Sequence, residues 1–169
     1  MLFDSTGPAC LARCGVCYME TERVIRGGIR FSLGNVRDEE HTTETNDCTV
    51  RALKVAAGVP YADAHSLCSS LGRRPRKGMT SSQLLTMTSL PHVYGYKVTR
   101  VDVPWNQTLG RAMLYMLRGR YLVIKTGHAI GVIDGVCYDM ETSGPSSRIK
   151  MILKFTPCSE LETKTTEVL

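Results

Sequence analysis

The spacing of apolar residues changes once along this chain, and that change constrains the fold more than any other feature. Between Asn46 and Pro91, apolar residues recur at helical spacing in three segments. From Tyr96 onward the apolar pattern is extended, except for one short helix predicted after Thr108. Helices followed by strands, without alternating βα units, predict an α+β fold in which the helices pack on an antiparallel sheet.

The three helices are predicted over residues 46–58, 60–72 and 80–91. Asn46 or Asp47 can cap the first helix by accepting hydrogen bonds from the free N–H groups of its first turn. Glycines end the first two helices, and a proline ends the third.

The predicted sheet is built mainly from the C-terminal half, with strands over 121–125, 128–133, 136–140 and 151–155. Asp134-Gly135 predicts a two-residue hairpin, because a type I′ turn requires positive φ at both positions. Near the N-terminus, residues 23–31 are expected to form one or two short strands broken by Gly27-Gly28.

The length of 169 residues suits one domain. We expect an irregular, cysteine-containing segment over 1–45, the folded domain over 46–158 and a polar tail over 159–169. A net charge of +5 suits an acidic partner without requiring nucleic acid. No apolar run approaches the ~20 residues of a membrane span, and the first ten residues lack a signal-peptide pattern, so a cytoplasmic protein is expected.

One cysteine and one histidine occupy positions suited to nucleophilic chemistry. Cys48 falls in the first turn of the first predicted helix, where unpaired N–H groups and the helix dipole favour a thiolate. His128 opens a predicted strand about eighty residues later and can act as the base. The cysteines number seven, so at least one thiol is free of any disulfide.

The hairpin also predicts which carboxylate orients the histidine. With a two-residue turn, His128 is directly opposite Glu141 and diagonal to Asp139, and all three side chains share one face. Asp134 is about 20 Å from His128 at ~3.3 Å per residue and is excluded. Asp139 and Glu141 therefore both remain candidates on geometry.

Two stretches resemble papain-like cysteine peptidases. Residues 46–53, with 58–61, look like the nucleophile helix of that superfamily. Residues 127–135, followed by Tyr138-Asp139, are similar to its histidine strand and the next strand. The resemblance is to small bacterial and phage members, including the leader peptidases of bacteriocin exporters.

This resemblance implies a papain-like fold and a catalytic triad of Cys48, His128 and Asp139 with no cofactor. The expected reaction is cleavage of a peptide or isopeptide bond through an acyl-enzyme, on a protein or peptide substrate. The family often has a Gln about six residues before the nucleophile, where its amide lines the oxyanion hole, but Thr42 stands there. Asn46 is the predicted substitute, together with the Cys48 backbone N–H.

Three other functions compete with this one. A non-catalytic binding module would keep the papain-like scaffold, and a transglutaminase or deamidase would use the same site. The spacing of Cys10, Cys14 and Cys17 permits a metal site if His41 or Cys158 supplies a fourth ligand. Such a site, with the basic run over 73–77, would suit a zinc-dependent nucleic-acid binder, although a solvated loop is the simpler interpretation of that run.

Overall fold

A computed structural model describes residues 22–33, 44–104, 106–139 and 143–161. Four α-helices, a short 3-10 helix and seven strands form one α+β unit around a single sheet. The helices are α1 (Cys48–Ala57), α2 (Tyr61–Ser70), α3 (Ser81–Leu85) and α4 (Leu109–Met113), and the 3-10 helix Thr86–Ser89 continues α3. The strands are β1 (Glu22–Arg26), β2 (Ile29–Leu33), β3 (Tyr96–Val101), β4 (Arg120–Lys125), β5 (His128–Ile133), β6 (Val136–Asp139) and β7 (Ile149–Pro157).

The strand order across the sheet is β1-β2-β6-β5-β4-β7-β3. Every pairing is antiparallel except β2 with β6, which is parallel. The strands of the C-terminal half pair antiparallel, as predicted, and the one parallel junction is with β2 from the N-terminal part of the chain. Gly27 and Gly28 form the turn of the β1–β2 hairpin, which joins part of the 1–45 segment to the sheet.

Two apolar clusters pack on the two faces of the sheet because successive strand residues point to opposite sides. Helices α1, α2 and α3 cover one face, with Leu53 and Tyr61 fully buried against Leu122 and Leu153. Helix α4 covers the other face, where Met116 packs near Val123. The described residues contain no helix long and apolar enough to cross a membrane.

Most predicted boundaries are confirmed, and the exceptions have local causes. Helix α1 ends at Gly58, whose φ of 67° supplies the left-handed cap. Thr80 forms a capping box with Gln83 at the start of α3. Two helices are shorter than predicted: α3 gives way to the 3-10 helix after Leu85, and α4 ends at Met113 instead of continuing to Gly119. A helical turn over 158–161 stands where the polar tail was expected to begin.

Candidate active site

Cys48 is the first residue of α1, and the side chain of the preceding residue does not cap the helix. The sequence predicts that Asn46 or Asp47 caps this helix, but the side chain of the N-cap residue Asp47 makes no capping hydrogen bond. Its buried carboxylate instead accepts hydrogen bonds from Tyr61 at 2.8 Å and Arg51 at 3.1 Å. The side chain before Cys48 therefore does not occupy the N–H groups of the first turn, which favour negative charge there.

A glycine in β5 allows α1 to approach the histidine strand closely. A Cβ placed on Gly131 would lie 2.5 Å from Cβ of Val55 and 3.1 Å from the Ala52 carbonyl oxygen. Any larger residue would push the helix away from the strand. Gly131 thereby contributes to placing the start of α1 beside His128, the first residue of β5.

The imidazole of His128 is held by Asp139. Its Nε2 atom lies 2.7 Å from Oδ2 of Asp139, a carboxylate that is only 3% exposed. In β5 and β6, Ile133 pairs with Val136, and both Asp134 and Gly135 have positive φ, so the predicted hairpin register is confirmed. Asp134 instead accepts a hydrogen bond from the Gly119 N–H, far from the imidazole.

The side chains of Cys48 and His128 line the same cleft, and each shifts the pKa of the other. Burial alone would raise the pKa of Cys48, but hydrogen bonds from His128 and the Ala129 N–H lower that pKa below its usual value. Hydrogen bonds to Asp139 and Cys48 raise the pKa of His128 to about 9, against the opposing effect of burial. Both shifts favour a thiolate–imidazolium pair at neutral pH.

Two other cysteines among the described residues have a raised thiol pKa, whereas the pKa of Cys48 is lowered. Cys68 and Cys137 are fully buried, and burial raises the pKa of each to about 12. They are apolar core residues with inert thiols. Cys158, which follows β7, is partly exposed.

An open cleft of about 310 Å³ gives access to Cys48 and His128. One wall is the stretch 78–81 together with Leu84 of α3. The end of the sheet forms the rest of the lining, where Lys125 and Lys150 share the cleft with Cys48 and His128. The cleft is lined by Cys48, Thr49, Gly78, Met79, Thr80, Ser81, Leu84, Ile124, Lys125, Gly127, His128, Ala129 and Lys150.

Asn46, the predicted oxyanion donor, lies two residues before Cys48 with a positive φ of 54°. Its side-chain amide donates a hydrogen bond to the Arg76 carbonyl oxygen at 3.1 Å. A second N–H on the same nitrogen is available to another acceptor. Asn46 therefore connects the start of the nucleophile helix to the loop that forms one wall of the cleft.

The basic run 73–77 divides into one buried residue and several exposed ones. The Arg73 side chain is fully buried and donates to Glu44 at 2.7 Å, so the expectation of a solvated loop is wrong for this residue. Arg73 also contacts His65 Nε2 at 3.1 Å. Arg74, Arg76 and Lys77 are exposed.

Several candidate ligands and carboxylates fall outside the described residues: Cys10, Cys14, Cys17, His41 and Glu141. Within ranges 22–33, 44–104, 106–139 and 143–161, no group of three or more His, Cys, Asp or Glu side chains could hold a metal ion.

Sequence reasoning did not identify the two lysines of the cleft. Lys125 ends β4 and pairs with His128, whereas Lys150 lies at a β-bulge, where Ile124 pairs with Met151 and Lys125 pairs with Ile149. Strand periodicity does not signal a bulge, so the sequence could not have placed Lys150 in the cleft. The position of Lys125 at the end of a strand next to the histidine strand was the one available signal.

Comparisons with protein-family models, with curated proteins and with solved structures find no match to this chain.

Proposed function

We propose that this chain is a papain-like cysteine hydrolase that cleaves a peptide or isopeptide bond through an acyl-enzyme. The observation that carries the proposal is that Cys48 lines the same cleft as His128, whose imidazole contacts Asp139 at 2.7 Å. A thiol beside a base, with a third group orienting that base, is the arrangement required for nucleophilic catalysis.

The order of these groups supports a papain-like arrangement. The nucleophile begins a helix, the base begins a strand, and the carboxylate follows on the next strand of the same hairpin. Nε2 of His128 faces Asp139, which leaves Nδ1 as the ring nitrogen available to the thiol. The buried carboxylate then fixes both the tautomer and the direction of the ring.

In the proposed reaction, the Cys48 thiolate attacks the substrate carbonyl carbon, and the electron pair of the C=O bond moves to oxygen. The resulting oxyanion is stabilised by the Cys48 backbone N–H, whereas Asn46, whose amide donates to Arg76, is not among the residues that line the cleft. Collapse of this intermediate breaks the C–N bond, and the His128 imidazolium gives its proton to the leaving amine. His128 then takes a proton from water, which attacks the thioester, and release of the acid regenerates the thiolate.

The test is the reactivity of Cys48 toward iodoacetamide, measured by mass spectrometry of the peptide that contains it. We expect Cys48 in the full chain to react at pH 7 at least tenfold faster than partly exposed Cys158. The rate should fall at least tenfold in His128→Ala, because burial without the imidazolium raises the pKa of the thiol. Cys158→Ser is the matched control and should leave the Cys48 rate unchanged.

Turnover is tested separately with p-nitrophenyl acetate, which acylates active thiols without requiring a specific recognition sequence. We expect an acetyl group on Cys48, followed by its loss to water. A stable acetyl group that leaves only when an amine is added would indicate a transferase at this site. Equal iodoacetamide reactivity of Cys48 and Cys158, unaffected by His128→Ala, would support a binding module instead.

A further inference from the structure

Two lysines, Lys125 and Lys150, line the cleft that contains Cys48 and His128. Lys125 is the cross-strand neighbour of His128, and Lys150 lines the same cleft from β7. Among the described residues, neither lysine side chain makes a hydrogen bond or an ion pair, and no carboxylate lines the cleft. The wall facing the nucleophile therefore presents positive charge that the described residues do not neutralise.

The bulge in β7 places Lys150 in the cleft. Ile149 packs in the cluster under α4, whereas Met151 packs in the cluster under α1. Residues two apart in a regular strand would share a face, so the extra residue between them reverses the alternation. Lys150 is that extra residue, and it lines the cleft together with Cys48.

The loop before the cleft adds charge of the same sign. Exposed Arg74, Arg76 and Lys77 lead directly into the wall that begins at Gly78. Clustered charges of one sign in a cleft attract a ligand of the opposite sign. The remaining lining residues include Met79, Leu84 and Ile124, whose apolar side chains suit the aliphatic part of a peptide.

We propose that the substrate carries a carboxylate close to the bond that is cleaved, and that Lys125 and Lys150 bind it. This inference rests on the proposed function, because it concerns the substrate of the same cleft. The carboxylate has two possible sources, an acidic side chain within the peptide or the carboxylate at a peptide's C-terminus. Both present the same anionic group, so the lysines account for either source.

The test uses two alkylating agents of similar size, anionic iodoacetate and neutral iodoacetamide. The measured quantity is the rate at which Cys48 reacts with iodoacetate divided by its rate with iodoacetamide. We expect that ratio to fall roughly threefold for each lysine removed in Lys125→Gln and Lys150→Gln, as for one unit charge acting through a solvated cleft. Added salt should reduce the wild-type ratio toward that of the double variant. Lys154→Gln changes an exposed lysine four residues further along β7 and should leave the ratio unchanged.

An unchanged ratio in the double variant, at a normal iodoacetamide rate, would overturn the lysine proposal while leaving the proposed hydrolase intact. Loss of the enhanced iodoacetamide reactivity in the wild type would instead count against the hydrolase itself. Circular dichroism of each variant, matched to that of the wild type, ensures that the ratios refer to folded protein.

Protection of Cys48 from iodoacetamide distinguishes the two sources of the carboxylate. Three acetylated pentapeptides at millimolar concentration serve as probes: Gly-Ala-Glu-Gly-Ala amide, Gly-Ala-Gln-Gly-Ala amide and Gly-Ala-Gln-Gly-Ala with a free carboxylate. Stronger protection by the first peptide than by the second identifies an acidic side chain, and stronger protection by the third identifies a chain terminus. Equal protection by all three, or none by any, contradicts the proposal.

Discussion

Nε2 of His128 lies 2.7 Å from Oδ2 of Asp139, a carboxylate almost completely shielded from water. This contact is the largest cause of the raised pKa of His128, which reaches about 9. An imidazole of ordinary pKa near 6.5 would be mostly neutral at pH 7.5. Asp139 therefore keeps the imidazole protonated, and hence able to protonate a leaving amine, across the neutral range.

Asp139→Asn should lower the pKa of His128 toward 6.5, because the neutral amide removes the charge that stabilises the imidazolium. The protonated fraction of His128 would then be lost at a pH well below 9. Titration of the imidazole C–H resonance by NMR measures this change directly. Asp63→Asn, an exposed position on α2, is the control and should leave the titration unchanged. Identical curves for wild type and Asp139→Asn would contradict the assigned role.

Gly131→Ala should destabilise the fold and weaken the coupling between Cys48 and His128. The added methyl group meets Val55 at 2.5 Å, so the strand and helix α1 must separate. Overpacking of this kind typically lowers the free energy of unfolding by about 1–3 kcal/mol, which urea denaturation measures. Gly144→Ala is the matched control, because the nearest atom to its Cβ is Oγ of Ser146 at 3.9 Å. Equal stability of the two variants would mean that the close approach is unimportant.

Tyr61→Phe should destabilise the protein by about 1–3 kcal/mol, because it removes a hydrogen bond from a fully buried carboxylate. Tyr61 donates to Asp47 at 2.8 Å, and burial together with Asp47 raises the pKa of Tyr61, which keeps it a donor. Thermal or urea unfolding checks the loss. Tyr94→Phe removes a comparable bond, to the Asp63 carbonyl oxygen, at an exposed site and should change stability much less. A similar loss in both variants would show that burial of Asp47 does not set the effect.

Arg73→Met should cost about 1–3 kcal/mol, because it leaves the partly buried carboxylate of Glu44 without its charged hydrogen-bond donor. The hydrogen bond to Arg73 is the largest cause of the lowered pKa of Glu44, although partial burial opposes it. Arg74→Met, one residue further along, changes an exposed side chain and should stay within about 0.5 kcal/mol of wild type. Urea unfolding at pH 7 compares the two, and equal values would argue against a structural ion pair.

Local rules were enough to predict the central hairpin, a helix that begins near Cys48 and a strand that begins at His128. The position of Cys48 followed from helix-start signals, and the turn predicted a register that places His128 on the same face as Asp139 and Glu141. Each of these depends on a few neighbouring residues. Geometry alone left Asp139 and Glu141 open, and the structure pairs His128 with Asp139, whereas Glu141 lies outside the described residues.

The missed features depend on contacts between distant parts of the chain. The parallel pairing of β2 with β6 joins Leu33 to Asp139 and has no local signature. The burial of Arg73 requires Glu44 and His65 to surround it, which a run of basic residues does not reveal. Lys150 enters the cleft only because of an irregularity in pairing between two strands. Hydropathy periodicity does not report any of these three relationships.

The parallel β2–β6 pairing also has a consequence for the growing chain. Leu33 leaves the ribosome about a hundred residues before Asp139, its partner in the sheet. The β1–β2 hairpin must therefore wait for its neighbour until β6 has been synthesised. Asp139 also follows both Cys48 and His128 along the chain, so the thiol emerges long before the carboxylate that contacts the imidazole. If the proposed hydrolase is correct, the nascent chain should acquire its reactivity only after β6 has emerged.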